Sequence, residues 1–423
     1  MAMVAKRDDK RGMTRPPVLI PRGRSRREWA IRGGLAAAAL ALGYASTIQT
    51  FAFALSGRDA ERAYSLAPSD GRVVGAFAQQ LAATEAEQPS MRKQVDALAR
   101  TALAAEPIGV KALTALGLGA QIAGDTATAR RLFVHSDRLS RRELGTRLWL
   151  IEDAVSRGDV PAALRHYDIA LRTEKTAPDL LFPILTAAVD DPAIAVPLAR
   201  LLSGRPPWGE SFVGYLGEKA PNPVVGARFF ALLRRAGASV PEVPQVGIVN
   251  GLAAAGSLER AWAFYNSFHR GLDRRRSRDA DFADRWPAPT VFDWIADADQ
   301  PGITTSIAAG GFDFAAPAST GGTVLQQTQL LPPGRYRLDG ISADIEQPDD
   351  SRPFWQILCI GGRELGRVQI SNSSENSGRF SGTFVVPAGC SAQLLKLTIL
   401  PSMAVGGVSG SIRRVEIAPA ETR

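Results

Sequence analysis

The chain is poor in the residues that carry most enzyme chemistry. Its 423 residues include three histidines and two cysteines. His135, His166 and His269 stand far apart and lack metal-ligand spacing. No G-x-S-x-G elbow, P-loop or H-E-x-x-H is present. Gly361 to Gly366 lacks a dinucleotide fingerprint and reads as a hairpin turn. No metal or cofactor is therefore expected. Cys359 and Cys390 are too few for a cysteine metal site; they fit a disulfide in an oxidising compartment, or two small core residues in a reducing one.

Charge is missing from one long stretch. Gly33 to Leu55 is a run of 23 uncharged residues. At 1.5 Å rise per residue it would form a helix of roughly 34 Å, enough to cross a bilayer core. Ahead of it, residues 1–32 hold ten basic and three acidic side chains, a net charge of +7. The remaining 40 of 50 basic and 39 of 42 acidic residues follow it, so that portion is close to neutral at +1. The high overall charge thus belongs to the tail, and nucleic-acid binding by the large portion is not expected. Positive flanks stay in the cytoplasm, which sends the bulk of the chain across the membrane. Ala52-Phe53-Ala54 resembles a signal-peptide cut site, yet the long basic lead and the length of the run favour a retained anchor.

From about residue 57 to 270, apolar residues recur at three- and four-residue spacing, the pattern of successive amphipathic helices. A period is visible within it. Gly124-Asp125 is followed by Ala129 and Phe133; Gly158-Asp159, 34 residues later, is followed by Ala163 and Tyr167. Gly256 precedes Ala261 and Tyr265 at the same offsets. With Leu116-Gly117 and Pro107 in place, this resembles the tetratricopeptide repeat, in which Gly ends one helix and Ala and an aromatic pack the pair. Between residues 175 and 240 the spacing drifts, and Pro192, Pro197, Pro206 and Pro207 interrupt it. The resemblance implies a groove for protein partners lined by first-helix residues, here Lys111, Gln121, Glu152 and Asn250; the plainer reading of each is an exposed polar residue.

Residues 271–289 are polar and read as a linker. Beyond them the chain breaks into about eight short runs separated by Gly and Pro turns, the pattern of a β-sandwich. Leu331-Pro332-Pro333-Gly334-Arg335-Tyr336-Arg337-Leu338, Phe384-Val385-Val386-Pro387 and Gly410 to Ile417 look like the galactose-binding, carbohydrate-binding-module type of jelly roll. That resemblance implies glycan binding on an aromatic platform, with Trp286, Trp294 and Trp355 as candidates. Against it, Trp286 is placed to dock the linker, Trp294 to cap the core, and Trp355 to pack inside a run apolar on both faces.

The expected fold class is thus multidomain: one transmembrane helix over 33–55, a TPR-like α-helical solenoid over 57–270, and an all-β jelly-roll sandwich over 290–423. The expected function is a non-catalytic scaffold in a bacterial inner membrane, its bulk periplasmic, serving envelope or exopolysaccharide assembly with protein and polysaccharide partners. One alternative is a purely structural protein whose sandwich binds no sugar. Another is a polysaccharide-active enzyme using carboxylates such as Asp344 and Glu346, or Asp349 and Asp350. Topology is the first thing to test: alkaline phosphatase fused after Arg423 should be active, and a β-galactosidase fusion inactive, whereas the reverse pattern contradicts the export.

Overall fold

The computed structural model describes residues 25–84, 88–269, 271–284, 288–297, 301–308 and 310–420. Trp286 lies outside the described residues. Among those described are fourteen α-helices followed by two antiparallel β-sheets. The chain divides into two compact units, one ending at Thr146 and one beginning at Arg147.

Helix α1 (Arg26–Leu55) is capped by Ser25, whose side chain accepts from the Glu28 amide. Leu35, Leu40, Leu42 and Tyr44 point outward, uncovered by protein. From Gly33 onward α1 is uncharged, and the helix is long and apolar enough for an apolar medium such as a membrane, a test that a signal sequence passes as well. Its polar groups suit that medium: Thr47 and Thr50 donate back to the Gly43 and Ser46 carbonyls at 2.8 Å.

The first unit continues with α2 (Ala60–Leu66), α3 (Gly71–Thr84), α4 (Pro89–Ala105), α5 (Val110–Ile122) and α6 (Thr126–Leu139), and ends within α7 (Leu144–Ser156). Gly124 has φ +81°, a conformation that costs glycine no Cβ clash, and it closes α5. Asp125 then caps α6 by accepting from the Thr128 amide at 2.9 Å. Gly158 and Asp159 repeat both devices before α8 (Val160–Thr173). Between α5 and α6 the fit is tight: a Cβ on Gly117 would stand 2.8 Å from the buried Phe133 ring. Thr114, Thr146 and Ser136 share a buried hydroxyl chain at 2.9 and 2.7 Å.

The second unit adds α9 (Ala177–Ala188), α10 (Pro192–Ser203), α11 (Gly209–Lys219), α12 (Pro223–Arg235), α13 (Glu242–Ala254) and α14 (Leu258–Asn266). The prolines that interrupt the sequence period do not interrupt the helices. Pro192 and Pro223 open α10 and α12, where the missing N–H has no intrahelical acceptor, and Pro206 and Pro207 lie between α10 and α11.

The sandwich comprises β1 (Ile295–Ala296), β2 (Thr304–Ala308), β3 (Gly311–Ala316), β4 (Gly322–Gln329), β5 (Gly334–Ala343), β6 (Phe354–Cys359), β7 (Glu364–Gln369), β8 (Arg379–Val386), β9 (Gln393–Ile399) and β10 (Val408–Pro419). One sheet has the order β1-β4-β9-β6-β7 and the other β2-β3-β10-β5-β8. A core row, Leu325, Leu397, Trp355 and Val368, runs in register across the first sheet. Phe312, Leu338, Phe384, Ile412 and Ile417 face it from the second. Cys359, at the end of β6, is disulfide-bonded to Cys390 in the turn before β9, with Cα atoms 5.7 Å apart.

Within the stretch read as a linker, residues 277–282 are part of the sandwich. Strand β10 pairs with β3 only as far as Ile412, which leaves its later half with an open edge. Residues 277–280 close that edge: the Val415 amide donates to the Ala280 carbonyl at 2.9 Å, and Ser277 exchanges bonds with Ile417. Phe282 then enters the core beside Trp294, ring centroids 5.3 Å apart.

Replacing Gly117 with Ala should force Phe133 from its place and cost roughly 1–3 kcal/mol. Denaturant unfolding checks this, and the double change with Phe133→Leu should recover part of the loss.

Candidate functional site

The outward face of the first sheet carries a polar surface that runs across four strands. Alternate residues along a strand point to opposite faces. Each strand that supplies the core row therefore places its next residue outside. Gln326 on β4 pairs with Lys396 on β9, Lys396 with Gln356 on β6, and Gln356 with Arg367 on β7. The result is a continuous row of two amides and two cations across four strands. Thr398 and Phe354 form the neighbouring row. The Arg367 guanidinium lies over the Phe354 ring, 4.2 Å from its centroid, and covers it. Glu364 accepts from Gln356 and from Arg367, and these bonds hold its carboxyl below the usual range. Among the described residues Lys396 and Gln326, both half-buried, make no side-chain hydrogen bond or ion pair. Such a row offers donors and acceptors spaced for hydroxyls, with Lys396 open to a carboxylate or sulfate and Arg367 shared with Glu364.

Among the described residues the aromatic platform is not there. Trp355 is fully buried and Trp294 is 5% exposed; both belong to the core, where their rings lie 5.8 Å apart. No ring face of either reaches solvent, so the glycan-stacking role is corrected for both. Every other described aromatic of the sandwich is buried as well.

Asn250 is not a groove residue either. It belongs to the junction between α13–α14 and the sandwich, accepting from the Val291 amide at 3.0 Å and donating to the Pro289 carbonyl at 3.3 Å. At the centre of that junction is Asp293. Its Oδ1 accepts from the Tyr265 hydroxyl at 2.7 Å and from Arg278 at 2.6 Å, and its Oδ2 accepts from the amide and hydroxyl of Thr290 at 2.8 and 2.7 Å. Arg278 also pairs with Asp284 and lies over the Tyr265 ring. Burial pushes the Glu242 carboxyl up, helped by Asp293, and pushes the His269 imidazole down.

The other groove candidates are scattered. Lys111 is half-buried in the first turn of α5, and Gln121 is exposed near its end. Glu152 is exposed on α7 in the second unit. His166 is half-buried with Nδ1 3.1 Å from the guanidinium of buried Arg147. Asp344 and Glu346 are both exposed. Asp344 sits in a left-handed turn at φ +59°, and Glu346 ties down Ser374 by two bonds of 2.9 Å.

No protein-family model and no curated protein matches the chain. Among solved structures, the sandwich is similar to TmCBM61 in complex with β-1,4-galactotriose: 15% identity over 30% of this chain and 88% of that one, TM-score 0.23. It is also similar to a xylan-binding CBM22 domain from Paenibacillus barcinonensis, with 11% identity over 34% of this chain and 94% of that one, TM-score 0.22. A glycosylation-associated protein complex from Streptococcus agalactiae matches at 14% identity over 29% of this chain and 40% of that one, TM-score 0.21. At these scores the likenesses carry no argument about function, and the reading below stands on the geometry.

The polar row escaped sequence reasoning because its members lie on four strands. The available signal was local: Leu395-Lys396-Leu397 and Trp355-Gln356-Ile357 each place a polar residue between two core residues. Only the sheet order brings them side by side.

The junction makes a sharp forecast. Asp293→Ala should cost about 3 kcal/mol, the low end for breaking a buried pair because Asp284 still faces Arg278. A loss below about 0.5 kcal/mol in urea unfolding would contradict the role given to Asp293.

Proposed function

We propose that this protein is a membrane-tethered, non-catalytic adaptor of the bacterial envelope. In this reading α1 remains in the inner membrane with the basic tail in the cytoplasm and both units in the periplasm. The charge step across α1, its outward apolar side chains and the Cys359–Cys390 disulfide all support that compartment. The helix pairs, TPR-like in their Gly-Asp turns and small-aromatic packing, hold protein partners.

The observation that carries the reading is the junction at Asp293. A loosely tethered binding module would need no buried hydrogen bond to the helices before it. Here Asp293 takes one of its four hydrogen bonds from Tyr265 of α14, the others from Arg278 and Thr290, and Asn250 of α13 adds bonds to Pro289 and Val291, which suits an arm that holds its partners at a set spacing. Proximity labelling from a tag after Arg423 tests it. A set of envelope proteins enriched over a control carrying only residues 1–56 supports the adaptor, and a set equal to the control's contradicts it.

The polar row favours a second role beside the first: contact with an acidic glycan by charge and hydrogen bonding rather than by ring stacking. The double variant Lys396→Glu and Arg367→Glu should weaken retention of the full chain on alginate tenfold or more, about 1.4 kcal/mol, with little effect on dextran. Unchanged retention would remove the glycan from the account.

A further inference from the structure

We propose that a cavity in the first unit, between α4 and α6, binds a short amphipathic helix with an apolar face and acidic flanks, supplied by a partner protein. The inference rests on the adaptor reading and names the chemistry of one partner.

Helices α4 and α6 both pack on α5 and leave between them an open cavity of about 680 Å³. Its floor is apolar: Ala115, Leu116, Gly119 and Ala120 of α5, with Val95 of α4 and Leu132 of α6 as walls. The floor is also vacant. A Cβ built on Gly119 meets no atom within 4 Å, whereas one on Gly117, two residues earlier, would collide with Phe133. One helix thus carries a glycine needed for internal packing and another that only deepens the surface. An open apolar floor of this size is in the range of sites that seat ligand side chains, and a helix docks in such a groove through residues at i, i+3, i+4 and i+7.

The rim selects the charge of the occupant. Arg92, Lys93 and Arg100 border the cavity with one carboxylate, Asp96, a net of +2. Asp96 is already engaged by Arg100 at 2.7 Å. Arg92 and Lys93 have no ion pair among the described residues. Two uncompensated cations beside an apolar floor fit Glu or Asp on the flanks of an inserted helix, and they repel a basic one.

The test uses the full chain in detergent as bait for a displayed library of random 16-residue peptides, with counter-selection against Gly119→Leu, which fills the floor. Enriched peptides should carry apolar residues at helical spacing and a net charge of −2 or lower. Their affinity should fall at least tenfold for Gly119→Leu and for the rim variant Arg92→Glu with Lys93→Glu. The rim variant changes two rim side chains, Lys93 exposed and Arg92 half-buried, and leaves the floor intact, so it decides the matter if Gly119→Leu fails to fold. Enrichment of neutral or basic peptides, equal binding by the variants, or no enrichment would overturn the proposal. So would capture of anionic lipid vesicles in place of peptides. Failure here with successful proximity labelling would remove this groove and leave the adaptor standing.

Discussion

The second unit depends on a single buried carboxylate. Asp293 accepts from Tyr265, Arg278 and both donors of Thr290, and Arg278 is itself almost fully buried. Taking two charges out of water is costly, and the cost is recovered only when every lone pair and every proton finds a partner. Here both Asp293 oxygens accept twice and Arg278 bonds to Asp293 and Asp284, in one arrangement of three segments: α14, the stretch 271–284 and the turn at 290–293. Apolar contacts reinforce it. Phe292 meets Trp262 edge-on at 5.1 Å and Tyr265 at 5.3 Å. An apolar contact tolerates sliding; a four-donor carboxylate does not. The node therefore sets how the sandwich sits on the last helices, as well as adding stability.

From that constraint follows the division of labour within the sandwich. Segment 277–284 closes the open edge of β10 and sends Phe282 inward, so the second sheet carries this strap and its ion pairs, including Arg276 with Glu416 at 2.6 Å. All described aromatics of the sandwich are committed to the core. What remains for an outside molecule is the polar row on the first sheet, which recognises by hydrogen bonds and charge. A surface of that kind is sensitive to salt, as a stacking platform would not be.

The fold class was legible because its signals are local. Gly124-Asp125 and Gly158-Asp159 each announce a turn and a cap in adjacent residues, and Phe380, Phe384 and Val386 alternate within one strand. Resemblance to a repeat then assigned a groove role to Asn250, whose real partners lie about forty residues downstream, in a turn no period describes. The supposed linker was misread for a similar reason. Its arginines and aspartates have the composition of a solvated segment, but their partners are Glu416, Asp293 and the edge of β10. Tryptophan was a poor guide to a binding face, since the ring that suits a sugar also suits a core. The row Gln326, Lys396, Gln356 and Arg367 is the opposite case: unremarkable along the sequence, and a surface only once the strands are ordered.

The central claim is that the last helices and the sandwich open as one body because Asp293 joins them. Native-state hydrogen exchange on the full chain tests it most directly. The amides of α13 and of β10 should share one opening free energy, and Tyr265→Phe should lower both by the same amount. If β10 keeps its protection while α13 opens on its own, the two are separate modules and the account is wrong.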